Sequence, residues 1–308
     1  MSARYTTDST ASDAALLQGN LRTADSRRRR LAKDLRLLFV GKWLNVLAAL
    51  LIFLFLVLCA FGPMIAPYSP LAPDISSALQ GPSAAHLFGT DQIGRDTLSR
   101  VMAGARISLG VAAIVLSVAV VLGIVVGGAS GYFGGTVDAT LMRVTDLFLA
   151  FPALILAMAI AATLGPSLTN TTIALAVVYW PWYARLIRGQ VLAVKRWDYV
   201  EAAHAVGASN IRIIRRHILP NSISPVIVQL TIDCGYAILS TASLSFIGLG
   251  AQPPSPEWGA MINAAQTYFQ QAWWYIAFPG LALTLTVIGF NLAGDGLRDF
   301  LDPRTRTR

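Results

Sequence analysis

Charge is scarce in this chain. Asp, Glu, Lys and Arg fill 13% of its 308 positions against 55% hydrophobic residues, and the mean hydropathy is +0.58. A water-soluble domain of this size needs more polar surface than that, so the composition excludes an ordinary soluble globule and points to a bilayer as solvent. Cysteine is nearly absent: Cys59 and Cys234 both fall inside apolar runs, which excludes a disulfide framework and leaves two small buried hydrophobes. Acidic residues are few as well, 16 against 24 basic ones. The basic residues come in blocks between long apolar segments rather than on one solvated face, a pattern of membrane topology and not of nucleic-acid binding. Signatures of catalysis are missing too. There is no G-x-x-x-x-G-K-[ST] phosphate loop, because the Gly41-Lys42 step runs into Trp43, and neither H-E-x-x-H nor G-x-S-x-G occurs. The three histidines, His86, His204 and His217, are scattered over expected loops, the last two as helix-surface or packing residues. No catalytic, cofactor-binding or metal site is expected in the chain itself, which argues against an intramembrane hydrolase.

What the chain has in quantity is apolar runs of the roughly 20 residues that a hydrocarbon core requires. Six are read, at 43–66, 106–130, 138–164, 169–188, 222–249 and 274–297. The fourth is the weakest: its clean apolar part is short, Pro181 is placed to kink it, and the aromatics of "YWPWYA" before Arg185 suit a membrane interface. Orientation follows from Lys and Arg. Residues 1–42 carry nine of them and the tail from 298 carries four; Arg185 and Arg188 close the fourth run, and 191–221 adds Lys195, Arg196, Arg212, Arg215 and Arg216. By contrast, 67–105 sets Arg95 and Arg100 against Asp74, Asp91 and Asp96, and 250–273 has only Glu257. Six spans with both termini cytoplasmic put every basic block on one side. The expected layout is a basic cytoplasmic tail over 1–42, a transmembrane domain over 43–303 and a cytoplasmic tail at 304–308. Within the domain, 67–105 and 250–273 are external and 191–221 is a cytoplasmic loop. "SRRRRLAK" at 26–33 reads as a topology anchor, since the first apolar run starts too late for an ordinary secretion signal.

Several residues inside or beside the spans stand out. Asp233 lies within the fifth, where an ionisable group is costly and faces either a partner or an aqueous path; a translocation path and a hydrogen-bonded structural role are both open. Gly123, Gly127, Gly131 and Gly135 recur every four residues, a stripe suited to close helix packing, with Gly131 and Gly135 expected to make the turn in "SGYFGG". Arg143 and Asp146 are spaced for an intrahelical pair, Asp138 is expected near the cytoplasmic interface, and Trp258, Trp273 and Trp274 are expected as interfacial anchors. Segment 67–105 is longer than a tight connection needs and either caps the bundle or meets an external protein.

The most informative stretch is polar. "DYVEAAHAVGASNIRIIRRHILPN" at 198–221 has the capping-box spacing of Asp198 and Glu201 at its start, and Gly207 is placed to end a short helix in a left-handed turn. Ser209 can cap a second helix that Pro220 stops before the fifth span. Glu201, Ala202 and Ala203, then Gly207 after three intervening residues, then Leu219 and Pro220, resemble the cytoplasmic signature of permease subunits of ABC importers. His217 followed by Ile-Leu-Pro-Asn resembles the peptide and nickel branch. "MIAPYSP" at 64–70, "HLFGTDQIGRDTLSRVMAGARISL" at 86–109 and "ASLSFIGLGAQPPSPEWG" at 242–259 look like the corresponding segments of dipeptide and oligopeptide permeases, so the resemblance spans about 31–303. One departure is Thr241, where that branch commonly carries an acidic residue.

The resemblance implies an all-helical integral membrane protein, a six-span bundle of the type I importer kind in the bacterial plasma membrane. It implies ATPase coupling through Glu201, Ala202, Ala203, Gly207 and Ala208; a translocation path near Asp233, Thr241 and Ser243 is a separate expectation from their place in the fifth span, and the family's carboxylate role does not carry over to Thr241. It further implies a second homologous permease, one or two cytoplasmic ATPases that bind ATP and Mg, an external or periplasmic substrate-binding protein and membrane lipid as partners. Dipeptides or short oligopeptides are the expected cargo, with nickel complexes, glutathione or haem as other cargoes of similar systems. The competing class is an ion-driven secondary transporter, which should show duplicated halves and several charges at mid-span; no convincing repeat is present, and Asp233 stands alone deep in a span.

Overall fold

The computed structural model describes residues 43–301; the tails expected over 1–42 and 304–308 lie outside the described residues. The chain divides into two units, Met1–Leu47 and Ala48–Arg308, with the division inside the first helix. All regular structure among the described residues is helical, apart from one isolated bridge between Thr90 and Asp96. The helices are α1 (Trp43–Ile65), α2 (Thr97–Phe133), α3 (Gly135–Leu149), α4 (Ala153–Leu164) and α5 (Leu168–Val194). After the short α6 (Asp198–Ala205) come α7 (Asn210–Phe246), α8 (Trp258–Ala265) and α9 (Trp273–Leu301).

Four described helices, α1, α2, α7 and α9, are long and apolar enough to cross a membrane, and α3 and α4 are so only when taken together. That pair is bent by 84°. The single span expected over 138–164 is therefore broken, because Pro152 has no N–H to continue a helix and pushes Phe151 out of helical geometry. Its halves of 15 and 12 residues reach only about 22 and 18 Å, short of a ~30 Å core. The fourth expected span does form a helix, α5, of 27 residues. It is less apolar than the others, because Asn170, Thr171 and Thr172 open it, "YWPWY" sits at its middle, and Arg185, Arg188 and Gln190 come before its end. The sixfold count is thus not reached by length and composition, although the all-helical membrane architecture holds. α2 starts earlier than expected: Asp96 accepts the Ser99 N–H at 2.8 Å and caps the helix at Thr97. Its 37 residues extend about 55 Å, longer than a ~30 Å hydrocarbon core.

The glycine stripe explains how α5 is seated. A Cβ on Gly123 would strike the Tyr183 Cβ, one on Gly127 the Ala184 carbonyl, and one on Gly131 the Arg188 carbonyl and Val191 side chain. α2 and α5 therefore touch backbone to backbone along three turns, as small-residue stripes permit. Gly131 belongs to this seam and not to the turn; Gly134 and Gly135, at φ +67° and +55°, make the turn. On the other flank, Gly235 of α7 packs on Val287, and Gly294 of α9 on Ile232.

The bundle has two ends. At one, Ser167 donates its N–H to the Leu249 carbonyl at 3.2 Å, bringing the α4–α5 turn to the segment after α7. Residues 66–96 and 250–272 gather there. Trp258 and Trp274 sit at this end and are buried rather than interfacial, because each indole N–H finds a carbonyl: Val101 at 3.0 Å and Thr90 at 3.2 Å. Trp273 stays exposed. The other end carries the α2–α3 turn and α6 with its flanks.

The seam gives a paired test. Gly127→Leu should lower stability by about 1–3 kcal/mol or prevent folding, since the Ala184 backbone has no room to retreat. Gly128→Ala, one residue along and facing open space, should be neutral or raise stability by up to ~1 kcal/mol. Thermal unfolding of the two variants in detergent checks both.

Candidate coupling segment and bundle core

α6 is a two-turn helix held between the two longer helices that flank it in sequence. Trp197 occupies the N-cap position and Asp198 is already helical, so the expected capping box does not form. The C-terminus matches expectation. The Gly207 N–H bonds the His204 carbonyl at 2.9 Å and the Ala208 N–H the Ala203 carbonyl at 3.1 Å. Together they close a left-handed turn that Gly207 makes at φ +79°, a conformation costly for any residue with a Cβ. Val200 and Ala203 face inward and join a core with Ile213 and Ile218. Ala203 is therefore a packing residue whose small size lets α6 lie close to the bundle, and does not belong to an outer surface. Glu201, Ala202 and Gly207 face outward, His204 is exposed with its ring turned to Tyr132, and Ala208 is half-buried. The outer face is also apolar: Val206 is 83% exposed and Ile211 69%, with Trp197 and Tyr199 beside them.

Ser209 precedes α7 without a side-chain cap bond. Pro220 does not end the helix that follows. Instead a π turn at Ile214–Ile218 widens the backbone before the ring, and α7 continues through it. Asn221 Nδ2 and Ser222 Oγ donate to the His217 and Ile218 carbonyls at 2.6 and 2.9 Å, which covers acceptors that the distortion exposes.

The α2–α3 turn grips this end. Asp138 accepts from Ser130 Oγ and, through both oxygens, from Arg188 Nε and a terminal guanidinium nitrogen at 2.6 Å each. Bidentate geometry makes this the strong form of the pair. Asp146 bonds Arg185 at 2.6 Å, joining α3 to α5, so the intrahelical pair expected with Arg143 is replaced by an interhelical one. Tyr132 donates its hydroxyl to Asn210 Oδ1 at 2.8 Å, and Lys195 Nζ donates to the Tyr132 carbonyl at 2.6 Å. Sequence reasoning passed over Tyr132 and Asn210; the signal available was a lone tyrosine in the glycine-rich "SGYFGG".

Among the residues assigned to a translocation path, Asp233 is 7% exposed. Tyr183 Oη donates to its Oδ2 at 2.7 Å and Gln229 Nε2 to its Oδ1 at 2.9 Å, tying α5 to α7. Thr241 is fully buried with its hydroxyl on the Ala237 carbonyl, and half-buried Ser243 bonds Leu239 in the same way. The structure does not gather these three into one site. Cys59 and Cys234 are half-buried free thiols.

At the far end the polar residues of "GTDQIGRD" turn inward. Asp91, fully buried, accepts from the Ile93 and Arg95 N–H groups and from Arg95 Nε at 2.6 Å, with Arg100 Nε at 3.5 Å. Asp96 takes His86 Nδ1 at 2.9 Å on the oxygen not used by Ser99. Glu257 caps α8 by accepting the Gly259 and Ala260 N–H groups at 3.0 and 2.9 Å. The segment thus caps the bundle with a knot of buried charges. Burial pushes the Glu257 carboxyl above the usual carboxylate range, against the opposing pull of those two N–H bonds.

Among the described residues, long apolar helices thus flank a short exposed one. Two solved structures share the fold: the inward-facing MetNI methionine ABC transporter at TM-score 0.54 and an amino acid ABC transporter with histidines at 0.51. The first is 19% identical and covers 66% of this chain and 97% of that one; the second is 18% identical and covers 65% and 93%. Residues 119–307 match the family described as binding-protein-dependent transport system inner membrane component, and the chain belongs to that family. It is 50% identical over 264 residues to the probable D,D-dipeptide transport system permease protein DdpC of Escherichia coli (strain K12), covering 86% of this chain and 89% of that protein. It is 45% identical to the dipeptide transport system permease protein DppC of Alkalihalophilus pseudofirmus, over 86% of this chain and 87% of that one. Identity is also 45% to the glutathione transport system permease protein GsiD of Escherichia coli O6:K15:H31, over 84% and 86%. The chain is accordingly an inner-membrane ABC permease, of a family whose members work with ATPase and substrate-binding partners. An ion-driven mechanism is not favoured.

Glu257 sets a pH expectation. Because its carboxyl titrates higher folded than unfolded, its neutral form stabilises the fold at low pH, and that contribution is lost as pH rises through the folded value. The wild type should lose stability over that rise in a detergent melting series, and Glu257→Gln should lack this component.

Proposed function

We propose that this chain forms half of the translocation path of an ATP-driven importer for dipeptides or short oligopeptides. The observation that carries the reading is the 50% identity to a probable D,D-dipeptide permease, which runs across 86% of the chain. The names of the other relatives, dipeptide and glutathione permeases, agree on small peptides. In this reading a second homologous permease completes the path, an external or periplasmic binding protein delivers the cargo, and one or two cytoplasmic ATPases supply the work. ATP and Mg belong to those ATPases.

The end that carries α6 is assigned to the cytoplasm, with both termini on that side, because Arg185, Arg188, Lys195, Arg196, Arg212, Arg215 and Arg216 cluster there. The domain layout remains a tail over 1–42, a permease domain over 43–303 and a tail at 304–308. α6 then presents Glu201, Ala202 and the exposed Val206 to the ATPase. Val200 and Ala203 anchor the helix from behind, and Gly207 with Ala208 supplies the turn that sets its angle. When the ATPases close on nucleotide, the push on α6 passes into α5 and α7, which carry Tyr183 and Asp233 between them. Asp233 acts on the path by tying α5 to α7 as much as by facing cargo, and Thr241 and Ser243 lie further along the same helix.

Reconstitution with both permeases, the ATPases and the binding protein tests this. Uptake of radiolabelled dialanine should require ATP and persist when the proton gradient is collapsed, and Gly207→Trp should keep ATP hydrolysis while lowering uptake about tenfold or more. Uptake that follows the proton gradient and ignores ATP overturns the reading. Competition by unlabelled tripeptide and glutathione ranks the cargoes.

A further inference from the structure

Between α5 and α7 the coupling segment is joined by two short links, residues 195–197 and 206–209. Its own grip on the bundle is apolar and small, chiefly Val200 and Ala203. A push on such a segment can be absorbed by bending at Gly207, whose φ of +79° marks the hinge. Something must stiffen that hinge if α6 is to drive the helices.

Tyr132 stands at the place where this is possible. It is the penultimate residue of α2, is 4% exposed, and touches all three elements. Lys195, at the end of α5, donates to its carbonyl at 2.6 Å and lies 5.4 Å from its ring centroid, within cation–π range. Asn210, the first residue of α7, accepts its hydroxyl proton at 2.8 Å. His204 Nε2, on α6, lies 3.4 Å from the same oxygen, and the rings face each other at 6.2 Å. A phenol has one proton to give and lone pairs to receive, so it can donate to Asn210 while accepting from His204. His204 and Asn210 flank Gly207, and one hydroxyl therefore spans the hinge. The tyrosine itself is not on a fraying end, since Ser130, two residues earlier, is fastened through Asp138 to Arg188 of α5.

We propose that Tyr132 is a positioning residue for transport: its hydroxyl staples α6 to the end of α2 and the start of α7, so that displacement of α6 moves the bundle instead of flexing the loop. This rests on the reading that α6 meets an ATPase. The substitution Tyr132→Phe keeps the ring, the backbone carbonyl and the seat under Lys195, and removes only the staple.

The test is dialanine uptake and ATP hydrolysis measured side by side in proteoliposomes that hold the full complex and its binding protein. Tyr132→Phe should retain the ATPases through purification and go on hydrolysing ATP, while dialanine taken up per ATP falls about threefold to tenfold, the scale of one lost hydrogen bond. Asn210→Ala should match it, the double variant should be no lower than either single one, and Asn210→Asp, which keeps an accepting oxygen, should restore the ratio. If Gly207→Trp uncouples and Tyr132→Phe leaves the ratio at its wild-type value, the staple is overturned and the coupling reading stands. If neither variant changes the ratio, the coupling reading itself fails and the staple with it. If Tyr132→Phe lowers uptake and hydrolysis in equal proportion, its role is structural only and the proposal is overturned.

Discussion

The rest of the structure depends on the backbone contact between α2 and α5. In a membrane, burial of apolar surface no longer drives helices together, because lipid is as apolar as leucine, and association falls to close packing and interhelical hydrogen bonds. The glycines at 123, 127 and 131 provide the first by letting α5 rest on α2 without intervening side chains. The second follows from the first: once Tyr183 is held against Gly123, its hydroxyl reaches Asp233 of α7, and Arg188, against Gly131, reaches Asp138 of α3. The polar links among these helices are consequences of one glycine-lined seam.

The two ends of the bundle are built by different means. At the end away from α6, charge is buried and saturated: Asp91 and Asp96 are each consumed by neighbouring N–H groups and by Arg95 or His86. Such a knot sets the shape of its segment firmly, since removing one partner leaves a buried charge uncompensated. At the end that carries α6, the bidentate Asp138–Arg188 pair holds α3 to α5, while α6 itself is held mainly by small apolar contacts and much of its surface is exposed and apolar.

Legibility in the sequence followed how local each feature is. The glycine turn at 207 was readable because only the residues beside it decide it, and the apolar runs were readable because their length alone matters. The cap at Asp198 was misread since Asp198 and Trp197 compete for one boundary, and the backbone places the start one residue earlier. The burial of Trp258 and Trp274, and the replacement of Arg143 by Arg185 as partner of Asp146, were not readable, because each depends on a residue far away in the chain. For the same reason Asp233 showed itself in the sequence as an anomaly, while its partner Tyr183 did not.

The bend between α3 and α4 fixes more than a direction. α4 begins after Pro152 with no side-chain cap, and a helix start leaves its first N–H groups without partners inside the helix. Hydrocarbon has nothing to offer them, and each would cost several kcal/mol there. The corner at 150–152 is therefore a depth gauge: it belongs at a level where water, headgroups or a neighbouring chain can meet those donors.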